Sequence, residues 1–174
     1  MNDAIDRILA HLKREPSREF VRYWFSLRTG RPAPDRRDID PGRLIHLLPK
    51  LWLWEYDAKR GDFINRLAGG EIVEVFQRNP RGKFLGDWVP EKIVAVARPR
   101  YQRVIEGPAI CVASGPSYVA GDKRAWCERG IAPMTNRGPK PSIVFGISVW
   151  EMPDFTTGPV EREDTEAAFF PVPV

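Results

Sequence analysis

The sequence predicts an α+β fold built on an antiparallel sheet, and three observations carry the prediction. First, the runs Leu51 to Tyr56 and Asp62 to Ala68 flank the charged turn Asp57 to Gly61, so they pair as a hairpin. Second, the period then changes: Gly69 and Gly70 end the second strand, and Ile72, Val73 and Phe76 recur at helical spacing until Asn79-Pro80 and Gly82 stop the short helix. Third, Ala109 to Val119, Arg124 to Met134 and Ser142 to Glu151 read as a meander of three strands. Ala120-Gly121-Asp122 and Asn136-Arg137-Gly138-Pro139 supply its turns.

The elements in order begin with Ile5, Ile8, Leu9 and Leu12, whose spacing predicts an amphipathic helix from Asp3, as N-cap, to about Arg14. Ser17 can cap a second helix with Phe20, Trp24 and Leu27 on one face and Gly30 as its stop. Arg31 to Arg37 is a loop by composition. Asp40-Pro41 opens a short helix through Leu47 or Leu48, ended by Pro49. After the hairpin and its short helix, Pro90 starts a longer helix with Ile93, Val94, Val96 and Ala97 in its first half and Tyr101, Val104 and Ile105 in its second. Pro99 lies inside it and predicts a kink or break near Ala95 to Pro99, and Gly107-Pro108 ends it. LWLWEY and SIVFGISVWE are apolar on both sides, so the sheet needs cover on both faces, from the short helices on one and from the N-terminal helices or a partner chain on the other.

The chain has 174 residues, 43% of them hydrophobic, enough for one domain with its own core. No run reaches the roughly 18 apolar residues of a membrane span, and the N-terminus mixes charge with apolar residues as no signal peptide does, so a cytoplasmic protein is expected. Cys111 and Cys127 have no metal-ligand spacing. Reflecting Cys111 across the turn at Gly121 lands near Ala132, which predicts two reduced core thiols rather than a disulfide. Charge is uneven: residues 1–150 hold 26 Lys/Arg against 17 Asp/Glu, and residues 151–174 hold 1 against 6. The expected division is N-terminal helices at 1–48, a core at 49–152, and an acidic, proline-rich tail at 153–174 that is extended and without structure of its own. Phe169-Phe170 in that tail can instead dock into an apolar groove on the same or a neighbouring molecule, and the tail's charge can screen the basic body.

Distributed motifs then point to a family. Trp24, Leu27-Arg28-Thr29-Gly30-Arg31, Pro34, Asp38-Ile39-Asp40-Pro41, Leu47-Leu48-Pro49, Phe63 to Gly69 and Gly82-Lys83-Phe84-Leu85 resemble the pattern of a bacterial family of mostly stand-alone PAS domains, over about Arg22 to Glu151. The chain departs from it at Gln77, where glycine is usual, and at Gly70, where a small hydroxylated residue is common. The resemblance implies a five-stranded antiparallel sheet with short helices and one longer helix on one face, preceded by N-terminal helices. It also implies a sensory or regulatory module that takes a small molecule or a protein partner and signals by contact. The alternative is a ligand-free homodimeric interaction scaffold with a filled core.

The resemblance places Phe76, Leu85, Trp88, Ile93, Ala97 and Tyr101 in the segment covering the sheet, with Arg66 and Trp126 as polar or stacking partners for a ligand. Haem is disfavoured because His11 and His46 both lie in the N-terminal helices, away from the long helix. Cysteinyl-flavin photochemistry is excluded because Pro80 stands where the reactive thiol would be, and any cofactor is left unidentified. No nucleophile elbow, P-loop or histidine pair is present, so an enzyme is not expected. Arg78, Arg81, Lys83, Arg98, Arg100 and Arg103 are candidates for an anion-binding rim, whereas nucleic acid is disfavoured by the lack of interleaved aromatics. The stripe Ile5, Ile8, Leu9 and Leu12 is the expected interface of a homodimer.

Overall fold

A computed structural model describes residues 2–118, 124–151 and 165–172. The chain opens with α1 (Asn2–Ala10) and α2 (Glu15–Ser26), followed by three short 3-10 turns. Then come β1 (Leu51–Asp57), β2 (Asp62–Ala68), α3 (Gly70–Phe76), α4 (Leu85–Trp88) and α5 (Glu91–Glu106). β3 (Ala109–Tyr118), β4 (Arg124–Thr135), β5 (Pro141–Glu151) and β6 (Thr165–Pro171) complete it. The six strands form one antiparallel sheet in the order β2-β1-β5-β4-β3-β6.

Both faces of the sheet are covered, which is why its central strands are apolar on both sides. On one face Leu51, Leu53, Ile110, Val112, Phe145 and Ile147 pack with Ile8, Leu12, Phe20, Val21 and Trp24 of the N-terminal segment. On the other, Trp52, Trp54, Phe63, Cys111, Ile131 and Val144 pack with Ile72, Leu85, Trp88, Val94, Tyr101, Val104 and Ile105 from α3 to α5. The expected N-terminal cover is thus supplied by the chain itself.

This arrangement corrects the expected dimer stripe. Ile8 and Leu12 are 2% and 1% exposed inside the chain's own core, with Leu9 packed against it and Ile5 half-buried. A face that read as unpartnered from α1 alone meets the sheet, a partner far away in sequence.

The junction of α1 and α2 is held by a residue that no local pattern singles out. Glu128, 1% exposed on β4, accepts hydrogen bonds from the backbone N–H groups of Lys13 (2.7 Å) and Arg14 (3.1 Å). Those donors precede the first turn of α2 and would otherwise be orphaned, so a distant carboxylate does the work of a local cap. Ser17 does not cap: α2 starts at Glu15 with Arg14 as N-cap, and the Ser17 hydroxyl is buried without a partner.

Two further corrections are local. The helix expected from Asp40 to Leu47 or Leu48 is a pair of 3-10 turns, Pro41–Leu44, capped by the Asp40 carboxylate on Gly42 N–H (2.9 Å), and Leu48–Lys50. α5 runs as one helix through Pro99, without the break that proline alone predicts. Ala95 and Pro99 are exposed, so water can take the carbonyl freed by the missing N–H, while Val94, Tyr101, Val104 and Ile105 anchor the helix on either side.

The sixth strand replaces part of the expected structureless tail. β6 pairs with β3 in the register Ile110 with Phe170 and Cys111 with Phe169. Because side chains alternate across a strand, the two phenylalanines go to opposite faces: Phe169 joins the helix-side core and Phe170 the N-terminal one. The Phe-Phe pair therefore docks on the same molecule, as an added edge strand. The acidic stretch 152–164 lies outside the described residues, as does the turn at 119–123.

Asp62 fixes the helices over the sheet. At the start of β2 it accepts from Gly86 N–H at α4 (2.9 Å) and from Arg98 Nε of α5 (3.1 Å). Burial pushes its carboxyl upward, but the bonds from Arg98, Gly86 and its neighbour Phe63 outweigh that and hold it below the usual carboxylate value.

Candidate functional site

The helix-side face of the sheet carries a dense cluster of rings. Phe76, at the end of α3, lies 4.6 Å from the Trp88 ring and 5.8 Å from the Trp150 ring, centroid to centroid. Trp54 is 5.9 Å from Trp88, and Tyr101 is 5.5 Å from Trp52 and 5.4 Å from Phe63. Alternation along β5 places Trp150 here, two and four residues after Ser148 and Gly146, which underlie the Trp52 ring.

The polar groups among these rings are unequally served. Trp52 Nε1–H donates to Ser148 Oγ at 2.9 Å. Trp88 Nε1 and Trp150 Nε1 are both buried with no acceptor. An indole N–H is a donor only, and leaving it unmet in the interior costs about 1–3 kcal/mol, so such groups ordinarily find a partner. Both orphaned donors belong to rings in contact with Phe76.

A cation borders the same cluster. The Arg129 guanidinium lies 5.5 Å over the Trp150 ring, and its charge pulls against burial at Tyr101, Cys111 and Cys127. Burial still dominates: it pushes the Tyr101 phenol up to about 12 and the Cys111 thiol up to about 11, and raises Cys127 as well. Both cysteines are free, buried and protonated near neutrality, paired with Ile131 and Gly115 rather than with each other.

The residues expected to line a ligand site divide between three places. Phe76, Trp88, Ile93, Ala97 and Tyr101 converge on the helix-side cluster, Trp88 and Tyr101 buried and the other three half-buried. Trp126 does not join them. It alternates with Cys127 and faces the N-terminal helices, with the Arg14 guanidinium 5.9 Å over its ring and paired to Glu151. Arg66 is also elsewhere: a bulge between the pairs Trp54–Asn65 and Leu53–Leu67 turns it toward Glu55 Oε2 at 2.7 Å, outside the ring cluster.

The proposed basic rim is likewise dispersed. Arg78 donates to the Trp88 carbonyl, Arg98 serves Asp62, Arg103 stacks 3.9 Å from the Phe169 ring, and Arg81 lines a separate cleft. The two histidines are remote from the ring cluster: His46 bonds Glu19 at 2.7 Å and His11 packs against Phe170 at 4.9 Å. Among the described residues there is no group of three or more potential metal ligands, and no helix long and apolar enough to cross a membrane.

Sequence reasoning missed Trp52, Trp150 and Arg129. The period-2 alternation of β1, β4 and β5 was available, but with both faces apolar it does not say which face a residue joins.

The strand order, the helices α3 to α5 over one face and the ring cluster beneath them all agree with a match of residues 12–149 to the family model described as PAS domain. The chain belongs to the PAS-domain family. Comparison with curated proteins gives no match. The PAS match begins at Leu12 and so includes α2 as well as the sheet. It ends at Val149, before the edge strand β6, which in this PAS domain is added through a further segment of chain.

Proposed function

We propose that this PAS domain is a sensory module for a small molecule that carries a hydrogen-bond acceptor on a largely apolar body. The ligand is held on the helix-side face, between Phe76, Trp88, Tyr101 and Trp150. What supports the reading above all is the pair of buried indole N–H groups, Trp88 and Trp150, left without acceptors on two rings that both contact Phe76. A carbonyl or carboxylate would satisfy them, and the Arg129 charge favours the latter.

Phe76 is the gate in this reading. It ends a helix of seven residues that is followed by an exposed loop, so it can yield space at less cost than a strand residue. The signal then leaves by contact through β4. Arg129 faces the ligand side, while Glu128, the preceding residue, holds the α1–α2 junction on the other side of the sheet. A shift of β4 at Arg129 is thereby felt at Lys13 and Arg14.

Native mass spectrometry of the protein as purified, compared with its denatured mass, tests the reading. A retained small molecule that disappears in a folded Trp88→Phe, Trp150→Phe double variant supports it. A retained molecule that the double variant holds equally well would refute the assigned contacts, and a bare chain that binds no acceptor-bearing compound in a metabolite screen would refute the sensor.

A further inference from the structure

A second site lies on the opposite face, at the outer end of the β1–β2 hairpin. Glu55 alternates with Trp54 and Tyr56, which pack into the helix-side core, so its carboxylate projects away from that core. There it joins Arg36, Asn65, Arg66, Arg81, Gly82 and Asn136 in lining an open cleft of about 510 Å³.

The charge of this cleft is unbalanced. Three guanidinium groups face one carboxylate, and that carboxylate is already engaged, by Arg66 Nε at 2.7 Å and by Asn136 Nδ2 at 2.6 Å. The acids beside Arg36 are occupied as well. Asp35 takes Arg37 Nε at 2.8 Å and Arg137 N–H at 2.8 Å, and Asp38 takes Arg31 at 2.6 Å. Among the described residues, no carboxylate pairs with the side chain of Arg36 or of Arg81. Arg81 is also not a loose residue on a long loop. Its segment is stitched to β2 by Asn65 N–H to the Lys83 carbonyl and by Gly82 N–H to the Asn65 carbonyl, both 2.9 Å.

Asn65 borders the cleft, but its side chain is closed to it: paired with Trp54 and 1% exposed, it donates from Nδ2 to the Leu67 carbonyl at 3.1 Å. A ligand suited to this lining brings about two negative charges for the arginines and hydrogen-bond donors for the Asn136 amide and Glu55 carboxylate oxygens. A phosphate monoester matches the fork geometry of arginine. The volume exceeds what inorganic phosphate needs and lies in the range of small-molecule sites.

We propose that this cleft binds a mononucleotide, its phosphate between Arg36 and Arg81 and its polar ring edge toward Arg66 and Asn136. The site is distinct from the ring cluster and does not depend on the ligand proposed there. Isothermal titration calorimetry of the full chain with AMP, GMP, CMP and UMP, and with inorganic phosphate and the matching nucleosides, tests it. At least one mononucleotide binds, and its nucleoside binds about a hundredfold more weakly or not at all. Arg36→Ala and Arg81→Ala each weaken that mononucleotide about tenfold without moving the melting temperature, because both side chains are exposed. Binding of none of the four, equal binding of nucleoside and nucleotide, or an unchanged affinity in either arginine variant would each overturn the proposal. Inorganic phosphate binding as tightly as any mononucleotide would overturn it too.

Discussion

The indole of Trp52 packs against Gly146 on the neighbouring strand, so that a Cβ added at Gly146 would come within 2.2 to 2.5 Å of three atoms of its six-membered ring. The same indole is pinned by its bond to Ser148, one pleat further along β5. Gly146 is thus the floor on which the ring cluster of the helix-side face is laid. Gly146→Ala must expel Trp52 or open the β1–β5 pair. A loss of about 3 kcal/mol is expected in urea unfolding, at the upper end of overpacking effects. A loss below about 1 kcal/mol would show that the ring relocates freely.

Gln77 ends α3 in the left-handed region, with φ of 53°, where a side chain is strained and glycine is not. Its amide partly compensates by donating to the Glu74 carbonyl at 2.6 Å. Gln77→Gly should therefore stabilise the fold by about 0.5 kcal/mol, seen as a small rise in the denaturant midpoint at unchanged slope. A lowered midpoint would mean that the amide bond outweighs the backbone strain.

Gln77 also shows what was legible in the sequence. A position that departs from the family's glycine is visible without a structure, and its left-handed backbone supplies the reason. The first five strands were readable to within a residue or so, because turns rich in Gly, Pro and Asp punctuate runs of β-formers. Long-range pairings were not readable. Neither Glu128 capping α2 nor the α1 stripe meeting the sheet leaves a local pattern, because each partner is more than a hundred residues away or chosen by topology. The two apolar faces hid Trp150 and Arg129 for a related reason: alternation reports a polar face, and here there is none.

Acid should loosen the helix cover before neutral conditions do. Asp62 and Asp35 are held by hydrogen bonds below the ordinary value of 3.8, so their contribution is complete above that pH and is lost as pH falls through the lower folded-state values. For Asp35 the first cause is its bond from Arg37, joined by the backbone N–H groups of Arg37 and Arg137 and by Thr135. Urea midpoints measured from neutrality downward should be flat until about pH 4 and then drop. Asp62→Asn should flatten the drop, and an unchanged acid limb in that variant would remove Asp62 from the account.

Ile8 distinguishes a stripe used within the chain from one used between chains. Buried at 2% exposure among core residues, it should cost about 2–5 kcal/mol when cut to alanine, and the loss should not depend on protein concentration. A loss that shrinks as concentration rises would instead place the stripe between two copies.

Glu128 offers the sharpest test of how the two faces communicate. Its carboxylate is the acceptor for two backbone donors at the α1–α2 junction, and no local side chain stands in for it, since Ser17 is turned into the core. Glu128→Ala removes both bonds and leaves the amides of Lys13 and Arg14 without acceptors, a loss of about 2–3 kcal/mol. Hydrogen exchange should locate that loss. The amides of Lys13 and Arg14 and the first turn of α2 should exchange faster, while β1 and β5 keep their protection because their ladder is untouched. If occupancy of the ring cluster is passed through β4, ligand that slows exchange at Lys13 and Arg14 in the wild type should leave them unchanged in Glu128→Ala. Equal slowing in both proteins would mean that the two faces communicate by another route.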